Sequence, residues 1–274
     1  MTLTVVDMLQ RPIPDQGAAL ERKSEYRKYP LDLNDPRNSE PLVDIAAYNL
    51  AGQSYYSRPN AATGIAIPQV DPVVRVRRGI AEKLTMINEA LRASKDIRQL
   101  FGADIELYVE EGVRSSYTQR MLYDVVFPRL IRAQFPAISE DELLARRANM
   151  IARPSGTKTS PSPHSTGAAI DISLRYAQAT RAYVPNCEVF MGNEDADMDD
   201  IVRPDFFEQT NELDDKYQLA QRNRRLFYWI MKGKLCAEDS GLCVNPTEWW
   251  HWSYGDQMWA TITAAPFAFY GSAE

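Results

Sequence analysis

From Ala168 to Leu174 the side chains alternate: Ile170, Ile172 and Leu174 share one face, and Ala169, Asp171 and Ser173 share the other. That period describes a strand with one buried side, and it turns Asp171 away from the apolar layer toward a site or solvent. Asp104 to Glu110 alternates in the same way, with Ile105, Leu107 and Val109 inward, and reads as a half-buried strand. Elsewhere the period lengthens. Val76, Ile80, Leu84, Ile87 and Leu91 follow steps of three and four, the stripe of an amphipathic helix. Ser116 with Gln119 and Ser139 with Glu142 are capping-box pairs, each opening a further helix: the first carries Met121, Leu122, Val125, Val126 and Leu130, the second Leu143, Leu144 and Met150. Gln218 to Met231 reads as another, stopped near Gly233. The elements come in mixed order without regular βαβ alternation, which predicts an α+β domain with a small mixed or antiparallel sheet flanked by helices.

Residues 1–40 mix Pro12, Pro14, Pro30 and Pro36 with charge clusters such as Glu21-Arg22-Lys23, and are expected to form an irregular arm. Residues 41–274 contain no linker or repeat and read as one domain. Tyr48, Tyr55 and Tyr56 lie among turn formers, suggesting short strands and loops beside a cleft, with Tyr48 as a candidate substrate contact. Arg153 to Pro163, rich in Ser, Thr, Pro and Gly, reads as a loop that delivers His164, and 175–216 reads as another beside the site.

Composition narrows the partners. With 31 basic against 37 acidic residues the net charge is -6, which argues against nucleic acid and anionic membrane surfaces. The N-terminal sequence has neither a basic n-region nor a long apolar h-region, and no apolar run of about 18 residues occurs, so the expectation is a cytoplasmic protein. Three sparse cysteines do not describe a disulfide framework and fit a reducing compartment, with one Cys236–Cys243 bridge left open.

The chain has two histidines, and each lies in a stretch dense in Gly, Pro, Trp or acid. His164 sits in Ser162-Pro163-His164-Ser165-Thr166-Gly167-Ala168-Ala169-Ile170-Asp171, and His251 in Pro246-Thr247-Glu248-Trp249-Trp250-His251-Trp252-Ser253-Tyr254. Two His and one acid can hold zinc with a position left open, and a spare Glu can then act as base. No His-Glu-x-x-His is present, so the third protein ligand must be a carboxylate or a thiolate, and Asp171 is the best candidate. Cys236 and Cys243 are too widely spaced for the usual structural zinc pair. Strict alternation from Glu248 would separate it from His251 by face, so Glu248 is expected in a turn or bulge just before the strand. Arg114, between a strand end and a helix start, could be an oxyanion donor or an ordinary surface ion-pair partner.

These residues resemble a known family. The two histidine stretches look like the S-x-H-x-x-G-x-A-x-D and E-x-W-H motifs of zinc D-alanyl-D-alanine dipeptidases of the VanX type, within the M15 group of D,D-peptidases. Glu111-Gly112-Val113-Arg114, Asn223-Arg224-Arg225 and Tyr254-Gly255-Asp256-Gln257 are also similar to family segments, so the resemblance spans roughly residues 42 to 265. It implies one zinc ion per chain held by His164, Asp171 and His251, Glu248 as general base and acid, Arg114 as transition-state stabiliser, and Ser162 as a substrate contact. The family also binds the substrate's free amine with an acid after a Met-Gly pair. Here Met191-Gly192-Asn193-Glu194-Asp195-Ala196-Asp197 departs in spacing, leaving Asp195 and Asp197 in competition. The fold implied is the small α+β sheet of the D,D-peptidase and hedgehog-like group. The function implied is hydrolysis of a small D,D-dipeptide. Carboxypeptidase or endopeptidase action on peptidoglycan stem peptides and a non-catalytic zinc-bound recognition module are the alternatives.

Overall fold

The computed structural model describes residues 2–59, 64–155, 157–192 and 200–273. In chain order the helices are α1 (Val5–Gln10), α2 (Gly17–Lys23), α3 (Arg78–Ala93), α4 (Lys95–Phe101), α5 (Ser116–Met121), α6 (Phe127–Gln134), α7 (Glu140–Met150), α8 (Asp215–Met231) and α9 (Gln257–Thr263). The strands are β1 (Leu42–Asp44), β2 (Ala51–Gly52), β3 (Arg75–Arg77), β4 (Ile105–Glu111), β5 (Ala169–Tyr176), β6 (Cys243–Asn245) and β7 (Glu248–Ser253). β1 and β3 form a separate antiparallel ribbon. The other five strands form one sheet in the order β2-β4-β5-β7-β6, antiparallel except where β2 runs parallel to β4. This is the α+β architecture that the mixed element order predicts.

The core lies on the face of the sheet that receives Ile170, Ile172 and Leu174, all with 0% exposure. Helix α3 lays Ile80, Leu84, Ile87 and Leu91 on it, as the stripe predicts, and α8 adds Leu226, Phe227 and Ile230. Trp252 is wholly buried on this side and meets the Phe227 ring edge-on at 6.0 Å. The bulk of its indole fixes which face of β7 turns inward.

Several expectations are corrected. Val76 belongs to β3 and not to the helix, which starts at Arg78. Strand β4 is buried on both faces: Glu106 and Tyr108 are covered because the fully buried Arg175 donates from Nε to Glu106 Oε1 (2.9 Å) and stacks over the Tyr108 ring. The cap of α5 is Ser115, whose hydroxyl accepts from the Thr118 amide, so Gln119 is released from capping and points elsewhere. A π-helical stretch, Leu122–Val126, then joins α5 to α6. The Ser139 and Glu142 box forms as expected. The segment expected to be irregular carries α1 and α2. Thr4 and Asp7 close a capping box on α1, and α1 lies against α8 through buried Val5 and Met8. Cys187, Cys236 and Cys243 are all buried free thiols. Among the described residues no helix is long and apolar enough to cross a membrane.

Candidate active site

Strand pairing brings the first two site residues together. In the antiparallel register of β5 and β7, Asp171 lies opposite His251, flanked by the Ile170 and Trp252 pair that faces the core. Cross-strand partners have Cβ atoms about 4.5–5.5 Å apart, so one register choice places a carboxylate against an imidazole. Asp171 Oδ1 is 3.2 Å from His251 Nδ1. His164 arrives from the helical turn Pro163–Thr166, ended by Gly167 at φ +69°. Its Nε2 lies 3.3 Å from Asp171 Oδ2 and 3.2 Å from His251 Nδ1. The Gly112 carbonyl, 3.0 Å from His164 Nδ1, keeps the proton on that nitrogen and leaves the Nε2 lone pair facing the cluster.

Glu248 joins the same face by breaking the strand's alternation. β7 pairs with β5 from Ser253 opposite Ala169 as far as His251 opposite Asp171. On its other side the register with β6 jumps from Val244 opposite Trp252 to Asn245 opposite Glu248. The jump leaves Trp249, Trp250 and His251 without partners on β6, and it lets Glu248 Oε2 approach within 3.6 Å of His251 Nδ1. The strand therefore begins at Glu248 itself instead of after it, with the irregularity inside the ladder. Asn245 donates from Nδ2 to Glu248 Oε2 at 2.6 Å.

Arg114 is 5% exposed, so the surface reading fails. Its Nη2 is 3.5 Å from Asp171 Oδ2, its Nη1 donates to Gln119 Oε1 (3.0 Å), and its backbone amide donates to the His164 carbonyl (3.1 Å). Gln119, read from sequence as a capping residue, instead holds the guanidinium and is anchored by the Ala152 carbonyl. Glu111, 3.7 Å from Arg114 Nε and hydrogen-bonded by Ser54, and Tyr56, beneath the guanidinium at 4.9 Å, complete its surroundings. Only the position of Glu111 in the Glu-Gly-Val-Arg segment hinted at this.

Burial opposes charge throughout the cluster. Burial and then the Arg114 guanidinium push His164 down to about 4, which makes it a neutral imidazole at pH 7. Burial also opposes ionisation of Asp171, but the two imidazoles outweigh it and hold the carboxyl well below the usual range. Burial raises Glu248 above an ordinary glutamate, against the pull of His251 and Lys23. Asp171 Oδ1 is buried and, among the described residues, has no hydrogen-bond partner. The donor atoms of His164, Asp171 and His251 all lie within 4.8 Å of one another. A carboxylate oxygen without a donor and imidazole nitrogens facing each other are unfavourable without a cation and match a divalent metal with N and O ligands. The residues therefore fit such an ion.

The cluster opens into a cavity of about 1150 Å³ lined also by Ser162, Arg114, Tyr55 and Tyr56. Tyr48 is not among its described lining residues. It ends the turn Ile45–Tyr48 with its ring against the core, while Tyr55 and Tyr56 line the cavity. Asp195 and Asp197 lie outside the described residues. Lys23, Tyr26 and Glu110 also line the cavity and carried no functional signal in the sequence, since Lys23 read as part of a surface charge cluster and Glu110 as the outer face of a strand.

Two histidines and an aspartate that could hold a divalent ion thus stand beside a glutamate and a buried arginine. A family model described as D-ala-D-ala dipeptidase, peptidase M15, matches residues 76–268, and the chain belongs to that family. It is also 28% identical, over 232 residues, to a D-alanyl-D-alanine dipeptidase of Synechocystis sp., covering 81% of this chain and 84% of the relative.

Gly112 shows how tightly the site is built. A Cβ there would meet the Arg75 carbonyl oxygen and the Val76 and Val74 methyls at less than contact distance. Gly112→Ala is expected to cost about 1–3 kcal/mol through forced backbone shifts, read as a lowered urea midpoint at unchanged slope.

Proposed function

We propose that this chain is a zinc-dependent dipeptidase that hydrolyses D-alanyl-D-alanine. The observation that carries the proposal is the convergence of His164 Nε2, Asp171 and His251 Nδ1 on one point, with Glu248 and Arg114 beside it and a cavity in front. His164, Asp171 and His251 would hold one zinc ion, which when bound supplies Lewis-acid chemistry, acidifying water and polarising a carbonyl.

The remaining chemistry belongs to the chain's own residues. Glu248, raised by burial and 3.6 Å from His251, takes a proton from the attacking water and returns it to the leaving amine. The Asn245 amide holds one of its oxygens, so the other is free to face the substrate. Arg114 presents a fixed cation to the oxyanion that forms as the scissile carbonyl becomes tetrahedral. Gln119 and Glu111 prevent its guanidinium from rotating away, which keeps the reorganisation cost low when that charge appears. Ser162, 4% exposed on the cavity wall beside His164, is a contact for the bound dipeptide. A second reading, removal of the terminal residue from stem peptides, is favoured by the size of the cavity, which exceeds the roughly 300–1,000 Å³ usual for small-ligand sites.

Purified protein is expected to contain one zinc per chain and to hydrolyse free D-Ala-D-Ala faster than a stem pentapeptide. Activity should be lost with a chelator and return with zinc; activity that survives metal removal would sink the proposal. Glu248→Ala should keep its zinc and lose turnover, and near-normal kcat would remove Glu248 from the mechanism. Arg114→Ala should lower kcat by about 10²- to 10³-fold in zinc-loaded protein. An unchanged rate would leave Arg114 as a structural ion-pair partner only.

A further inference from the structure

The two sides of the cavity are built differently. Arg114 follows β4 and Glu248 heads β7, and β5 lies between those strands, so the two groups stand on opposite sides of Asp171. On the Glu248 side the N-terminal segment crosses the cavity wall. The Gln16 amide donates to the buried Asp205 Oδ2 at 2.8 Å, and Lys23 Nζ donates to Thr247 Oγ1 at 2.5 Å, one residue before Glu248. Further along, the Arg27 guanidinium donates to the Arg153 and Ser160 carbonyls, and Gln257 donates from Nε2 to the Tyr29 carbonyl at 2.7 Å. Tyr26 sits between these attachments and lines the cavity, with its hydroxyl accepting from Arg27 Nε at 2.9 Å. A ring held through both its backbone and its hydroxyl is a fixed wall.

On the Arg114 side the wall is apolar and roomy. Gln119, which holds Arg114, is anchored on the Ala152 carbonyl. Beyond it Val126, Phe127 and Leu130, at the passage from the π-helical stretch into α6, line the cavity together with Ile65 and Ile151. The volume of about 1150 Å³ exceeds the roughly 300–1,000 Å³ that suits a drug-sized ligand, so two alanine residues leave much of it empty.

We infer that the site selects dipeptides by size at one end only: the α6 wall accepts a large apolar side chain on the N-terminal residue, while Tyr26 confines the C-terminal residue to a small one. Arg27 is the positioning residue for Tyr26. The inference rests on the dipeptidase reading and deepens it. Glu248 hands its proton to the leaving nitrogen, so the C-terminal residue lies on the side where Lys23 and Tyr26 stand. The scissile carbonyl oxygen turns to Arg114, and the side chain of the residue that carries it, one carbon away, faces the apolar wall. Each methylene that such a pocket gains or refuses changes kcat/KM by about 10-fold or more. Tyr26 and Arg27 lie outside the 76–268 family match, so the limit comes from how this chain's own N-terminal segment docks.

The test uses two isomers, D-Leu-D-Ala and D-Ala-D-Leu, which differ only in the end that carries the bulk. Zinc-loaded wild type should cleave D-Leu-D-Ala with a kcat/KM about 10-fold or more above that for D-Ala-D-Leu. Tyr26→Ala should shrink that ratio by raising kcat/KM for D-Ala-D-Leu. Arg27→Met should shrink it in the same direction, and Arg27→Lys should restore it, which a loss of general stability would not do. Leu130→Trp should lower the rate on D-Leu-D-Ala alone. A wild-type preference for D-Ala-D-Leu, or a ratio that Tyr26→Ala and Arg27→Met leave unmoved, would overturn the inference. Calorimetric titration of zinc-loaded Glu248→Gln separates this failure from that of the parent reading, with D-Leu-D-Ala expected to bind about 10-fold tighter than its isomer. That binding preference without wild-type turnover would overturn the dipeptidase reading and leave the size selection standing. Turnover of both isomers at equal rates would overturn the size selection alone, and no binding of either would overturn both.

Discussion

The pairing of Asp171 with His251 across β5 and β7 is the constraint on which the rest of the site depends. Strand side chains have a period of two, so a slip of one residue in either strand would turn Asp171 or His251 into the apolar layer and a core residue into the cavity. Ile170, Ile172 and Trp252 make that slip costly, because each is wholly buried on the opposite face. Hydrophobic burial at roughly 25 cal/mol per Å² of apolar area on one face thus holds two polar groups in register on the other. The site and the core are two faces of one sheet.

Once that pair is set, the remaining groups are placed by backbone contacts. The Gly112 carbonyl orients His164, and the His164 carbonyl receives the Arg114 amide, so the end of β4 and the turn before β5 fix each other. Arg77 reinforces the turn by donating from Nε to the Thr166 carbonyl at 2.8 Å. A buried guanidinium left unpaired would cost several kcal/mol, and Arg114 avoids this with Gln119, Glu111 and Asp171 around it. The same low-dielectric setting that makes its burial expensive would strengthen its charge in the oxyanion role proposed for it.

Much of this was legible in the sequence, and the limits have physical causes. The alternation at 168–174 located β5 and the outward turn of Asp171, and the 3.6-residue stripe located α3 to within two residues. The expectation that Glu248 must escape strict alternation was a matter of parity, and the register jump opposite Asn245 is the form the escape takes. Val76 and Gln119 were misread for one shared reason. A residue at the edge of an element satisfies the local pattern of either neighbour, and only packing decides between them. Gln119 fits a capping box as well as it fits a partner for Arg114, and Ser115 capping α5 settled the matter.

By itself the sequence determined which chemistry was available: two histidines, an acid on the polar face of a strand and a glutamate three residues before an imidazole, all local properties of period and spacing. It could not determine which distant groups share that cavity. Glu110 sits on β4, and Lys23 comes from a helix more than 200 residues from Thr247, the residue it bonds. No periodicity spans such distances, because contacts of that range arise only when separate apolar faces are buried together. The tertiary structure alone decided that the N-terminal segment, which looked like a loose arm, lines the cavity through Lys23 and Tyr26.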